Sequence, residues 1–257
     1  MTTKTATTRT PAGLGVTHRR DSWWVGPLSV FTGLSLFVIY ATFRVFYNAD
    51  YVIDTASSAY ILSPFYSPLL IWDGMPSWLS PAFLILWAPG GFRLTCYYYR
   101  KAYYRAFFLD PPACSVSEPS KRKYSGETKL LLFQNIHRYF LYLALIFLVI
   151  LAIDVVHASI WPDGFGISIG TLVLLTNVVL LGLYTFSCHS LRHLIGGKID
   201  CYSCVAFGHA RHKMWKGVSH LNRNHMYWAW LSLFMVAFAD FYIWMVNLGV
   251  FTDLRIF

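Results

Sequence analysis

A twenty-residue stretch, Thr185 to Cys204 ("TFSCHSLRHLIGGKIDCYSC"), concentrates side chains that bind soft metal ions. His189 and His193 are four residues apart, so on a helix they lie on one face and can point at the same ion. Cys201 and Cys204 follow as a C-x-x-C chelate, after a glycine pair that we expect to end the helix. The spacing therefore predicts a metal site built from a helical histidine pair and a loop cysteine pair.

The kind of metal is left open among three possibilities. A Rieske-type [2Fe–2S] cluster takes two cysteines on one iron and two histidines on the other, which this division matches best. Cys188 is the alternate ligand, because on an ideal helix it points about 100° away from His189. Zinc bound by four of these five side chains is the second possibility, and haem ligation by a histidine is the third. Which four residues bind is not fixed by the sequence.

The composition is that of a protein with several membrane spans. Hydrophobic residues make up 56% of the 257 residues and charged residues only 13%, against about 25% charged in ordinary globular domains. We predict an all-α, polytopic membrane bundle, with a cytoplasmic N-terminal arm at 1–22 and a single transmembrane domain at 23–257. Spans of about 20 apolar residues fall at roughly 27–47, 81–99, 130–156, 167–193 and 226–250. The proline-broken segment 51–79 is interpreted as a folded connection.

The charges predict the orientation of these spans. Lys and Arg residues gather in the arm and in the connections 100–129 and 198–223, whereas the connections 48–80 and 157–166 contain none. By the positive-inside rule the N-terminus is inside and the C-terminus outside. The same rule accounts for the formal net charge of +9 without nucleic acid as a partner. We expect the basic face to hold anionic membrane lipids or a soluble partner. It also places the Cys/His stretch where thiols stay reduced, so we expect no disulfide there.

Charged side chains within the spans call for partners. Arg44, Asp154 and Asp240 lie at a similar depth in the outer halves of three predicted spans. Ionisable groups in a membrane usually pair or serve a function. We expect an ion-pair cluster that clamps the helices, with a proton path to the outer face as the alternative.

Two further histidines lie at the inner ends of spans, His137 in "FQNIHRYF" and His225 in "LNRNHMYW". Facing helices of a bundle can build a haem site from such residues, so bis-histidine haem is a rival interpretation. Cys96 and Cys114 stand apart, and we assign them no role. A quinone would need an apolar slot with a few polar groups, for which the candidates at the inner face are Arg93, Tyr97, Tyr98, His137 and Trp228.

Taken together, the five spans, the basic inner loops, "FQNIHRYF" and the run from Cys188 to Cys204 carry a resemblance. The chain resembles the membrane-anchor (cytochrome b-type) subunit of succinate:quinone oxidoreductase, respiratory complex II, of the actinobacterial type. The resemblance implies a multi-pass protein of the bacterial plasma membrane, with flavoprotein and iron–sulfur subunits docked on the cytoplasmic face. It implies electron transfer from succinate to a membrane quinone, with no turnover by this chain alone.

In one respect the chain departs from that pattern. Five-span anchors of this superfamily commonly hold two haems b, and each haem needs two axial histidines. Here the only histidine near the outer face is His157. We therefore predict that a [2Fe–2S] cluster at the Cys/His site relays electrons from the iron–sulfur subunit to quinone. The alternatives are a haem b anchor of the same complex and a zinc-stapled structural membrane protein.

Overall fold

The computed structural model describes residues 13, 15–55, 58–117, 130–197 and 199–257. Most of the predicted arm at 1–22 lies outside the described residues, as do the basic residues of 118–129. The chain divides into two compact units. One combines residues 1–36 with 97–130, and the other combines 37–96 with 131–257.

Among the residues that the structure describes, four long helices are apolar enough to cross a membrane, judged by length and composition. They are α1 (Val25–Tyr47), α5 (Leu130–His157), α6 (Ile169–Phe186) and α9 (His225–Asn247). Their apolar residues cover all sides of each helix rather than one stripe, which is typical of helices surrounded by lipid and by one another. The all-α prediction is confirmed, and these helices correspond to four of the five predicted spans.

The predicted span 81–99, which the sequence interrupts at Pro89-Gly90-Gly91, is broken more than once. The segment forms α2 (Pro81–Ile85), α3 (Trp87–Thr95) and α4 (Tyr97–Phe107). Because Pro89 has no N–H, it cannot donate to the carbonyl four residues earlier, and the first helix ends there. A second break follows at Cys96, whose backbone is extended at φ −61° and ψ 129°.

The predicted span 167–193 is also divided. α6 ends at Phe186, and the shorter helix α7 (His189–Gly196) begins after Cys188. Cys188 has an extended backbone, at φ −64° and ψ 136°. This turn redirects the chain between the two helices, so the histidines of α7 no longer continue the apolar helix. The 3₁₀ turn Tyr202–Cys204 and helix α8 (Gly208–Asn222) follow.

In the first unit, α4 is accompanied by a short segment from the N-terminal side of the chain. Residues 16–19 hydrogen-bond to residues 114–117. The Thr17 hydroxyl, for example, donates to the carbonyl oxygen of Ser115 at 2.6 Å. These bonds hold the residues that lead into α1.

In the second unit, the predicted connection is folded and largely buried. Strands β1 (Val52–Ile53) and β2 (Ile61–Leu62) form an antiparallel hairpin that packs against α6 and α9. A second antiparallel hairpin, β3 (Ile160–Trp161) with β4 (Gly164–Phe165), joins α5 to α6. The hairpins thus cap one end of the bundle.

A buried ion pair ties α1 to α9. Arg44 and Asp240 are fully buried, and the Arg44 Nε lies 2.7 Å from the Asp240 Oδ2. The hydroxyls of Tyr40 and Ser63 also donate to the Asp240 carboxylate. The expected pairing of Arg44 is therefore observed with Asp240, whereas Asp154 accepts a hydrogen bond from Ser67 instead.

A glycine permits the close approach of α3 and α5. A Cβ atom at Gly91 would collide with the ring of Phe140. The carbonyl of Gly91 accepts a hydrogen bond of 2.7 Å from the hydroxyl of Thr95, one turn further along α3. The close contact brings the end of α3 against the first turns of α5.

Candidate functional site

The five predicted metal ligands are not brought together. Cys201 and Cys204 form a disulfide, contrary to the expectation of reduced thiols, because the C-x-x-C turn brings the two sulfurs within bonding distance of each other. The rings of His189 and His193 do lie on one side of α7, with centroids 6.2 Å apart. Within the described ranges, no group of three or more His, Cys, Asp or Glu side chains is arranged around one metal ion.

A different set of thiols and imidazoles meets inside the bundle. The His137 Nε2 lies 3.1 Å from the Cys188 Sγ, and the His225 Nε2 lies 3.4 Å from the Cys96 Sγ. Cys188 is 1% exposed, Cys96 3% and His137 6%. We call these four residues the inner Cys/His cluster. It consists of two matched pairs, each with one thiol and one imidazole.

The second nitrogen of each imidazole is fixed by a hydroxyl group. The Thr95 Oγ1 lies 2.9 Å from the His137 Nδ1, and the Ser187 Oγ lies 2.6 Å from the His225 Nδ1. Each hydroxyl also donates its single proton to a backbone carbonyl, that of Gly91 for Thr95 and that of Tyr184 for Ser187.

The hydrogen-bond network therefore assigns the tautomer of both rings. A hydroxyl that has given its proton to a carbonyl can only accept from an imidazole, so both Nδ1 atoms carry hydrogen. Both Nε2 atoms are then unprotonated and face a sulfur. This is the form in which histidine binds a metal, with the outer nitrogen held by a hydrogen-bond partner.

The Cys188 thiol holds its proton strongly unless a metal ion binds to it. Burial, together with the nearby Cys96 thiol, raises the pKa of Cys188 to about 12. At neutral pH the side chain is therefore an uncharged thiol. A bound metal ion reverses this preference, since coordinated thiols lose their proton.

Two aromatic rings connect the members of the cluster. Phe92 stacks on His137 with centroids 4.8 Å apart, and Tyr184 stacks on His225 at 5.1 Å. Phe92 and Tyr184 meet edge to face at 5.4 Å. The Arg93 guanidinium lies over the Tyr184 ring at 4.7 Å. The four rings and the cation form one continuous contact network.

A cavity of about 240 Å³ lies directly beyond these rings. Its wall includes Phe92, Arg93 and Tyr184, and the rest of the lining is mostly apolar, with Pro64, Phe65, Leu151 and Val236 among its residues. Arg93 donates to the carbonyl of Ala229 at 3.1 Å and to the hydroxyl of Ser232 at 3.0 Å. The cavity is therefore apolar with one cationic wall, and a single layer of aromatic rings separates it from the inner Cys/His cluster.

The predicted quinone candidates separate accordingly. Arg93 lines the cavity, and His137 belongs to the inner Cys/His cluster. Trp228 is not among the lining residues, and its buried indole nitrogen has no hydrogen-bond partner among the described residues. Tyr97 and Tyr98 belong to the first unit, on α4. A role of any of these residues in quinone binding stays a prediction.

Sequence reasoning missed the ligand capacity of Cys96, and it treated His137 and His225 as haem or quinone residues. One signal was available, since all three lie at the same ends of predicted spans. The spacing within the chain could not reveal the pairing, because Cys96 and His225 are 129 residues apart.

Two comparisons with known proteins agree with each other. A family described as actinobacterial succinate dehydrogenase subunit SdhC matches residues 25–249. A chain of the solved "Mycobacterium smegmatis Sdh1 complex in the apo form" is similar in structure, with 40% sequence identity and a TM-score of 0.83, over 94% of each chain. No curated protein sequence matches.

Proposed function

The chain belongs to the actinobacterial succinate dehydrogenase SdhC family, and from this membership we propose that it passes electrons derived from succinate to a membrane quinone. As a member of that family it is the membrane-anchor subunit of a succinate dehydrogenase, a multi-pass plasma-membrane protein that assembles with the other subunits of the complex. The proposal adds the electron route, the cofactor and the quinone.

The inner Cys/His cluster is the observation that carries this proposal. Two buried thiols, the buried imidazole of His137 and the half-buried imidazole of His225 are the ligand types of a Rieske-type [2Fe–2S] centre, and both Nε2 atoms are unprotonated. A dinuclear centre needs two protein ligands at each iron, and a Rieske-type division would place Cys96 and Cys188 on one iron and His137 and His225 on the other. Cys96 lies near Cys188, and His225 near His137, closely enough to affect their electrostatics. Zinc would instead take all four side chains around one ion, and metal analysis separates the two. The proposed ligands are therefore Cys96, Cys188, His137 and His225.

When bound, such a centre supplies one-electron transfer at a potential that histidine ligation raises. Thr95 and Ser187 hold the imidazoles in the ligating tautomer. Phe92 and Tyr184 exclude water between the centre and the cavity, and keep the distance from the cavity to the centre short. Arg93 presents a fixed positive charge at the cavity wall, where it would stabilise negative charge on a quinone oxygen. The apolar remainder of the cavity would hold the quinone ring.

We further propose five crossings, with the N-terminus inside. Four long helices alone would return the C-terminus to the inner side, whereas the basic residues of 100–129 require a crossing between α1 and α5. The broken helices α2 and α3 supply it. Irregular backbone at membrane depth is tolerated where it is buried in protein or lines a cavity, and residues of α3 line the cavity described above. On this topology the inner Cys/His cluster faces the soluble subunits.

The flavoprotein and iron–sulfur subunits would dock at that inner face. In this arrangement the redox centre would lie between a water-soluble electron donor and a lipid-soluble electron acceptor. A haem b anchor is the second candidate, because His137 of α5 and His225 of α9 lie close enough for the one to affect the other's electrostatics.

Metal analysis and spectroscopy of the purified whole complex test the proposal. We expect iron beyond that of the soluble subunits and a rhombic, Rieske-type paramagnetic resonance signal after reduction. Cys96→Ser and Cys188→Ser should remove this signal and lower succinate-driven quinone reduction at least about 100-fold, since even outer-shell changes at metal sites cost 10–100-fold. Oxidation of succinate with an artificial acceptor should persist.

The variants Cys201→Ser and Cys204→Ser are the matched control, because they carry the same substitution at the originally predicted ligands. Loss of the signal in these variants alone would return the centre to the His189, His193, Cys201 and Cys204 set. A strong Soret band in the optical spectrum would instead support haem, and zinc without a paramagnetic signal would support a structural role.

A further inference from the structure

One face of α5 leads from the surface to the cavity. His157, at the end of the helix, is exposed, and Asp154 is 9% exposed one turn deeper. Leu151, a further turn along, lines the cavity. Residues three apart on a helix are neighbours on one face. An exposed imidazole, a buried carboxyl group and the cavity wall therefore follow one another in line.

Asp154 differs from the other buried carboxylate of the bundle. Its carboxylate accepts from the Ser67 hydroxyl, and no Lys or Arg among the described residues forms a salt bridge with it. The titratable groups that face it are His157 on its own helix and Tyr60 on the connection. The nearest cation–carboxylate pair, Arg44 with Asp240, is complete in itself. Asp154 is thus a buried carboxyl group that is free to exchange a proton.

A second buried polar group lies at the same level on α6. Leu148 of α5 meets Gly182 of α6, and Val155 packs against the hydrophobic cluster that contains Val173 and Leu174 of α6. Because the two helices run in opposite directions, Asp154 and Asn177 lie at one depth. Asn177 is 0% exposed, and neither of its amide atoms has a partner among the described residues.

Such a fully buried amide normally bonds to water. Asn177 also shares a helix face with Leu181 and Tyr184, four and seven residues on, and both of these line the cavity. A water held by Asn177 would therefore lie between the carboxyl group of Asp154 and the cavity.

We infer that His157, Asp154 and Asn177 form a proton path from the outer face of the membrane to the quinone in the cavity. This inference rests on the proposed function. Reduction of one quinone to quinol consumes two electrons and two protons. The electrons arrive from the inner side through the inner Cys/His cluster. Asp154 passes each proton through water at Asn177 to a quinone oxygen, and regains a proton from His157, so that it ends each cycle in its starting state.

Proteoliposomes that contain the whole complex, with the soluble subunits facing outward, test the path. A pH-sensitive dye trapped in the lumen reports proton uptake after addition of succinate and a short-chain quinone, with potassium and valinomycin present to collapse the membrane potential. We expect the lumen of wild-type vesicles to become alkaline in step with quinone reduction. In these vesicles the lumen corresponds to the outer face of the membrane. If the wild-type complex took the protons for quinone reduction from the medium outside the vesicles, the inference would be overturned.

Asp154→Asn keeps the hydrogen bond to Ser67 but cannot carry a proton. We expect it to lower quinone reduction at least about tenfold, as loss of a positioned proton donor does, and to abolish the alkalinisation of the lumen. Asp154→Glu should restore both. Asp73→Asn removes an exposed carboxylate of the same predicted outer side and should change neither. Asn177→Leu, which cannot hold water, should resemble Asp154→Asn.

The outcomes separate this inference from the function on which it rests. In Asp154→Asn the paramagnetic signal and the oxidation of succinate with an artificial acceptor should stay at wild-type levels. Full quinone reduction with normal alkalinisation of the lumen in that variant would overturn the proton path alone. Absence of the signal or of quinone reduction in the wild-type complex would overturn the proposed function itself.

Discussion

The bundle encloses polar side chains in two regions. The free-energy cost of removing these side chains from water is offset differently in each region. One region holds the ion pair of Arg44 and Asp240, whose carboxylate also accepts from Tyr40 and Ser63. The other is the inner Cys/His cluster, which consists of thiols and imidazoles in two pairs. The ion pair offsets the burial of charge and serves the fold. Thiols and imidazoles are side chains that can also exchange their mutual contacts for a metal ion.

The strongest way to test this contrast is to break the outer pair. Asp240→Leu would leave the Arg44 guanidinium buried without its carboxylate, which costs about 3–5 kcal/mol in comparable cases. We expect a large loss of thermal stability and of assembled complex, measured by thermal unfolding and by size-exclusion yield.

The double variant Arg44→Met/Asp240→Leu is the control, because it removes both charges together. Replacing a buried pair by apolar residues is often close to neutral, so most of the stability should return. Equal stability of the single and the double variant would contradict a structural ion pair.

An intermediate effect is expected from the hydroxyls that orient the imidazoles. Thr95→Val and Ser187→Ala remove the partner of one Nδ1 atom each, and such outer-shell changes at metal sites cost 10–100-fold in metal affinity or activity. We expect quinone reduction to fall by about 10-fold or more, with a shifted paramagnetic signal, while stability changes by only about 1 kcal/mol.

Thr176→Val provides the comparison for these variants. The Thr176 hydroxyl is exposed and bonds only to the carbonyl of Leu172 in its own helix. Its removal should leave activity and signal unchanged. A comparable loss of activity in Thr176→Val would mean that the helix, rather than the tautomer, had been disturbed.

The smallest effect is expected at the surface loop. Cys201→Ser combined with Cys204→Ser opens the disulfide of a turn that contributes no residue to the cavity lining. Because this disulfide closes a very short loop, its loss should cost no more than about 2 kcal/mol of stability. Iron content and quinone reduction, each measured per assembled complex, should therefore stay at wild-type levels. A clear loss of iron would restore the loop cysteines as ligands.

The sequence predicted the long helices well, and it predicted the breaks poorly. Hydropathy locates α1, α5, α6 and α9 because lipid-facing helices need long apolar runs whatever their neighbours. It placed one span at 81–99 with an interruption at Pro89-Gly90-Gly91, but it did not foresee the extended backbone at Cys96 that separates α3 from α4. It also continued the fourth span through Cys188, where an extended residue turns the chain.

The candidate site was predictable in its chemistry and not in its residues. Two thiols and two imidazoles near the inner membrane edge were expected, but the pattern favoured ligands close together in the chain. The observed pairs join α3 to α9 and α5 to the turn before α7. Such pairings depend on how helices pack across the bundle, which spacing along one helix does not encode. Only Cys188 is common to the ligand set predicted from the sequence and the ligand set proposed from the structure.

The missing side chain of Gly91 has a consequence for how the redox centre could be tuned. Phe140 occupies the space that any larger residue would need, and the same short stretch of α3 carries Phe92, Arg93 and Thr95. The absence of a Cβ atom at Gly91 thus sets the separation of α3 and α5. This separation in turn affects the packing around the His137 imidazole and the width of the cavity. A homologue with alanine at this position would need compensating changes in α5 to keep the same distance between the cavity and the proposed redox centre.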